Sequence, residues 1–156
     1  MDGFHPDFDA GATAPSDACG VDERRKCVHH IRASELDADT AQTDGLQRFA
    51  AISGKSVGAQ QLWMGETYIA PDTASGNHHH GESETAIYVR SGHPEFVFHD
   101  GVQEVRIKTE PGDYIFVPPF VPHREENPDP ATPAEVVIAR NSQEAIVVNL
   151  PELYPL

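Results

Sequence analysis

The stretch that most restricts the fold runs from Glu95 to Lys108. Glu95-Phe-Val-Phe-His99 and Val102-Gln-Glu-Val-Arg-Ile-Lys108 are alternating runs joined by Asp100-Gly101. Side chains of an extended strand alternate between faces, and Asp-Gly favours a two-residue turn of type I′. An antiparallel hairpin is therefore predicted. The same rhythm recurs in Leu46–Ile52, in Gln60–Ala70 with a bulge expected at Gly65, and in Thr85–Arg90, Tyr114–Val117, Val136–Arg140 and Ala145–Asn149. Val28–Ile31 reads as one more short strand, and Ser53–Gly58 as a turn. Pro118 to Pro128 carries too many prolines for a central strand and is expected at a rim. Ser34 with Asp37 is a weak helix start with no apolar stripe behind it. Short strands with frequent turns and no alternating helices predict an all-β barrel or sandwich.

With 156 residues there is room for one domain with a real core. Residues 1–26 lack periodicity and are expected to form an irregular, flexible N-terminal arm, which leaves 27–156 for the barrel. The Leu150–Leu156 tail is apolar enough to be expected to pack down, and it and the arm are the segments expected at a subunit interface. Acidic residues outnumber Lys and Arg by 25 to 11, a net charge of −14, so nucleic acid and anionic lipid are not expected partners. No apolar run reaches membrane-spanning length and the first residues do not resemble a signal peptide, which predicts a cytoplasmic protein. Cys19 and Cys27 are too far apart in sequence for a Cys-x-x-Cys pair and are read as free thiols.

Chemistry concentrates in Gly76 to Gly92. His78, His80 and Glu84 sit at even separations, so on an extended chain they share a face, with His79 opposite. Imidazoles and a carboxylate on one face are the donors a borderline divalent ion prefers. Glu82 shares that parity and is the rival to Glu84 if Gly81 bends the chain. The same parity turns Ala86 and Tyr88 inward, with the Tyr88 phenol a candidate catalytic proton carrier. Trp63, Phe96, Phe98 and Phe116 are candidates for a substrate-facing apolar wall, though barrel core suits them as well. Arg140, at a strand end, is a candidate for a substrate carboxylate and equally a candidate surface residue.

Both segments characteristic of the cupin superfamily are matched in this stretch and the next. His78-x-His80 and Glu84 fit the first, with Asp72 in place of its leading glycine and Gly92 one place late. Gly112, Pro118, His123 and Asn127 fit the second, with Phe120 in place of its internal glycine. The chain from about Thr67 to Ile138 thus resembles the small single-domain bacterial cupins. That resemblance implies a cupin-type double-stranded β-helix, a jelly-roll barrel, with one divalent metal held by His78, His80, Glu84 and His123. Fe(II) or Mn(II) is favoured, with Cu, Ni and Zn as alternatives. Such an ion would keep positions open for water, O₂ or substrate. Asn127 reads as structural. A dioxygenase acting on a small organic molecule is the first expectation, a non-redox lyase, decarboxylase or isomerase the second, and a non-catalytic binding module the third. A homodimer is implied by the resemblance.

Overall fold

Two antiparallel sheets build the protein. A computed structural model describes residues 28–143 and 146–154. The expected arm 1–26 with Cys19, and Cys27, lie outside the described residues. The strands are β1 (Leu46–Ile52), β2 (Trp63–Ile69), β3 (Thr73–Ala74), β4 (His78–His79), β5 (Thr85–Ser91), β6 (Glu95–His99), β7 (Glu104–Lys108), β8 (Tyr114–Val117), β9 (His123–Asn127), β10 (Ala134–Arg140) and β11 (Val148–Asn149). One sheet runs β1-β2-β10-β5-β8 and the other β11-β4-β9-β6-β7, with β3 also on β9. This nearly all-β jelly roll agrees with the barrel or sandwich that the short-strand pattern predicts and with the jelly roll that the cupin resemblance implies.

Alternation places the core. Trp63, Gly65, Thr67 and Ile69 of β2 are buried, as are Thr85, Ile87 and Val89 of β5 and Ala134, Val136, Ile138 and Arg140 of β10. Phe96 of β6 closes the apolar cluster from the second sheet, against Val117 of β8 and Ala50 of β1 in the first. Burying a large apolar side chain contributes roughly 1.5–3 kcal/mol, so this cluster is the main support of the fold. Gly65 is demanded by close approach. A Cβ there would lie 2.2 Å from the Phe49 carbonyl oxygen and 2.6 Å from the Trp63 ring. The bulge falls on the partner strand, where the β1 register slips between Ala50 and Ile52 opposite Gly65 and Met64.

Several local expectations need correction. The Glu95–Lys108 hairpin is present with Glu95 opposite Lys108 and His99 opposite Glu104, so its loop is Asp100–Gln103 and not two residues. The Asp100 carboxylate accepts from the amides of Val102 and Gln103 and widens the turn. Val28–Ile31 is not a strand, and Ser53 caps a single helical turn over Gly54–Val57. Of the Leu150–Leu156 tail, residues 155–156 lie outside the described residues, Leu150 and Leu153 are half-buried, and Pro151, Glu152 and Tyr154 are exposed.

The largest correction concerns the proline-rich stretch. The prolines bracket β9 without entering it, and β9 lies between β4 and β6 in the middle of its sheet. Asp72 and Phe120, which stand where the cupin segments carry glycine, both have left-handed backbones, with φ of 50° and 62°. The glycine geometry is therefore kept without the glycine, at a cost of roughly 1–2 kcal/mol per residue. Asn127 is buried, and its amide donates to the carbonyls of Ile69, Ala70 and Thr132. It ties β9 to the end of β2, the structural role expected of it.

Candidate metal centre

β4 and β9 carry the site. His78 lies directly opposite His123, with ring centroids 4.5 Å apart. His80 follows β4, its ring 5.1 Å from that of His78 and 4.7 Å from that of His123. Two residues past His123, on the same face of β9, Glu125 brings Oε2 to 3.6 Å from His78 Nε2 and Oε1 to 3.8 Å from His123 Nε2. One donor atom from each of the four lies within 4.8 Å of the others, and all four side chains are buried.

The hydrogen bonds select the tautomers. His78 Nδ1 lies 2.9 Å from the Gly76 carbonyl, and His123 Nδ1 2.9 Å from that of Val121. A carbonyl only accepts, so each Nδ1 carries the proton and each Nε2 keeps its lone pair. His80 Nδ1 is 2.8 Å from the Thr85 hydroxyl, which can accept in the same way. The three Nε2 atoms and Glu125 Oε2 are buried without a hydrogen-bond partner. Leaving such atoms unpaired is costly, and a divalent cation satisfies all four at once. The residues fit the metal that the family implies.

Electrostatics agrees. Burial, reinforced by Arg140 and the neighbouring imidazoles, holds His80 far below the usual histidine range. Burial likewise lowers His123 to about 4, against the opposing pull of Glu125. Burial pushes the Glu125 carboxyl up, but His78, His123, Arg48 and Ser75 together outweigh it and leave it below its ordinary value. Neutral imidazoles beside an ionised carboxylate are what a metal ion needs.

Glu84 is not in this cluster. Gly81 adopts a left-handed backbone (φ 57°), and the Ser83 amide donates to the His80 carbonyl, closing a turn. That turn shifts the parity, so Ser83 and Thr85 point inward while Glu82, Glu84, Ala86 and Tyr88 point outward. The Glu84 carboxylate instead accepts from the Asn141 amide. Glu125 occupies the acidic position, and neither Glu84 nor Glu82 does. Tyr88 pairs with Tyr114 on the outer surface, and Phe116 is 60% exposed there, so neither lines the interior.

Trp63 is core, lying beneath Arg140, whose Cζ is 5.6 Å from the ring centroid. Phe96 stands opposite Glu125 and Phe98 opposite His123 in the β6–β9 register, which places both beside the ligands. Arg140 is 1% exposed and is an interior residue, not a surface one. The residues missed are Glu125, Arg48 and Thr85. Glu125 carried a readable signal, its spacing of two from His123.

Thr85→Val is expected to weaken metal binding about tenfold, the lower end of what a residue bonded to a metal-binding imidazole contributes, by freeing the His80 ring. Competition with a chromophoric chelator checks it, and unchanged affinity removes the orienting role of Thr85.

Residues 65–140 match the family model described as a cupin domain. Among solved structures, the polyketide cyclase RemF from Streptomyces resistomycificus is similar with TM-score 0.63 and 20% identity, over 80% of this chain and 86% of that one. The oxalate decarboxylase of Lactobacillus farciminis, in a formate complex, gives 0.62 and 19%, over 72% of this chain and 33% of that one. An oxalate oxidase with the substrate analogue glycolate gives 0.61 and 18%, over 74% and 60%. At such identities the likeness is one of fold. No curated protein matches the chain in sequence. With the family match, the jelly roll and the cluster taken together, the chain belongs to the cupin superfamily. No described helix is long and apolar enough to cross a membrane.

Proposed function

We propose that this cupin is a mononuclear metal-dependent enzyme acting on a small organic molecule, with O₂ as cosubstrate. The observation that carries the reading is the convergence of three unpartnered imidazole Nε2 atoms and one unpartnered carboxylate oxygen in a buried site. A redox-active divalent ion, Fe(II) or Mn(II), would supply electron transfer and open coordination positions there. The chain's own contribution is to hold the imidazoles as neutral Nδ1–H tautomers, through Gly76, Thr85 and Val121, and to exclude water with Phe96 and its neighbours.

Oxygen chemistry is favoured over lyase or isomerase chemistry by what surrounds the ligands. Among the described residues, the buried acids and imidazoles facing the interior are all in the cluster, since Glu95 is paired with Arg106 on the outer face. With Tyr88 outside as well, no separate acid, imidazole or phenol stands beside the cluster among the described residues. The fold supports enzymatic use, since the similar barrels include an oxidase, a decarboxylase and a cyclase.

Ferrous-loaded protein screened against small organic compounds in an oxygen electrode is expected to consume O₂ only with substrate present. Turnover that persists under strict anaerobiosis assigns the site to non-redox chemistry. The homodimer stays part of the proposal, and the aromatic strip of Tyr88 on β5 with Tyr114 and Phe116 on the edge strand β8 suits it. Sedimentation of Phe116→Asp as a monomer supports that face, and an unchanged dimer removes it.

A further inference from the structure

Two arginines that the metal chemistry does not use lie inside the barrel. Arg48 on β1 and Arg140 on β10 are each 1% exposed. Arg48 donates through Nη1 to the Ala41 carbonyl at 2.7 Å and through Nη2 to the Thr43 hydroxyl at 3.3 Å. Arg140 is more loosely held, with Nη1 donating to the Ile146 carbonyl at 3.1 Å while Nε and Nη2 have no partner. Those two N–H groups share one edge of the planar guanidinium. That edge is the one a carboxylate meets with two parallel hydrogen bonds.

The surroundings tie this edge to the metal cluster. In register, Arg140 stands opposite Thr85, the residue that holds His80. Arg48 stands opposite Thr67, whose buried hydroxyl also lacks a partner. A neighbouring cleft of about 440 Å³ has neither arginine in its walls but includes Ala41, which anchors Arg48, Trp63, the ring beneath Arg140, and the Lys55-paired carboxylates of Asp37 and Asp39. The Gln143 amide, with neither end paired, lies in the same wall.

Charge points the same way. Burial, with repulsion from Arg48, lowers Arg140 to about 9, which leaves it a cation at neutral pH. Two guanidinium groups face one interior carboxylate, Glu125, a surplus of one positive charge that a divalent ion raises to three. A buried surplus of that kind is unfavourable unless an anion joins it.

We propose that the Nε–Nη2 edge of Arg140, supported by the charge of Arg48, is a carboxylate-binding element, so that the substrate is a small organic carboxylic acid. The inference rests on the metal-enzyme reading for what happens to that acid, and on the arginine edge alone for its capture.

Calorimetric titration of metal-free and metal-loaded protein with malonate, pyruvate, malonamide and inorganic phosphate tests it. Malonate or pyruvate is expected to bind the wild type, malonamide at least about tenfold more weakly for want of negative charge, and phosphate, which an arginine fork also grips, no more tightly than the carboxylates, since a dianion is costlier to bury. Arg140→Gln is expected to weaken carboxylate binding at least about 30-fold, and Arg140→Lys, which keeps the charge without the fork, about tenfold. Because Arg140 is buried and its variants can unfold, the wild type supplies a second readout. The arginine Nε–H resonance that is missing in Arg140→Lys is expected to shift on adding malonate. Equal carboxylate affinity in Arg140→Gln, stronger binding of phosphate or malonamide, no binding by either carboxylate, or a stationary Nε–H resonance overturns the assignment. Metal content measured on the same samples reports separately on the metal reading, so either can fail alone.

Discussion

Glu125→Gln is expected to lower metal affinity by more than about 100-fold, beyond the 10–100-fold typical of residues that only support a ligand. That loss corresponds to about 3 kcal/mol, and Glu84→Gln is expected to stay within about twofold of wild type. The contrast follows from position. Glu125 is 2% exposed, with Oε2 unpartnered and 3.6 Å from His78 Nε2. Glu84 lies on the outward face beyond the Gly81 turn, bonded to Asn141. Glutamine keeps the shape of the side chain and removes its charge, so the experiment isolates the donor. Competition titrations with a chelator measure both variants. Reversal of their order returns the acidic ligand to the first cupin segment and breaks the geometry described above.

Metal-free protein is expected to lose stability steeply as the pH falls from about 6.5 to 4, before most carboxylates titrate. Burial holds His123 at about 4 in the fold, and His80 is displaced in the same direction. An unfolded chain binds protons at these rings near pH 6.5, so within that window the unfolded state holds more protons and stability rises with pH. The stabilising contribution is thus complete above the unfolded value and is lost as the pH falls toward the folded one. For His123 alone the window corresponds to about 3 kcal/mol, with His80 adding to it. Urea midpoints of chelator-treated protein are expected to drop by about 1.5 M across the window, and bound metal should delay the loss. A flat midpoint contradicts the buried neutral imidazoles. Replacing His80 and His123 together by glutamine should flatten the curve if they are its source.

The two sheets and the shared face of His78 and His80 were legible in the sequence because both rest on alternation, while His123 came only through the resemblance to the second cupin segment. His78 and His80 share a face, and His123 stands in a second segment of matching register. Glu125 obeys the same rule, two residues beyond His123, but the surrounding prolines pointed to a rim loop. Pro122 and Pro128 in fact bracket a five-residue central strand that needs no proline within it. Glu84 failed for the converse reason, since alternation holds only while the chain is extended and Gly81 interrupts it. Tyr88 and Ala86 moved outward with it. Arg48 was hidden by type, because a charged residue in a loosely patterned strand reads as outward. Its parity with Leu46 and Ala50, both buried, was the clue. The length of the Asp100–Gln103 loop depended on a side chain capping two amides, which no pattern of apolar residues encodes.

The proposed chemistry depends on a metal ion held by His78, His80, His123 and Glu125. Elemental analysis of untagged protein, purified without added metal and then reconstituted with Fe(II), Mn(II) or Zn(II), tests it most directly. About one ion per chain is expected in the wild type and a marked deficit in Glu125→Gln. A wild-type protein that stays free of metal after reconstitution with each of the three would contradict it.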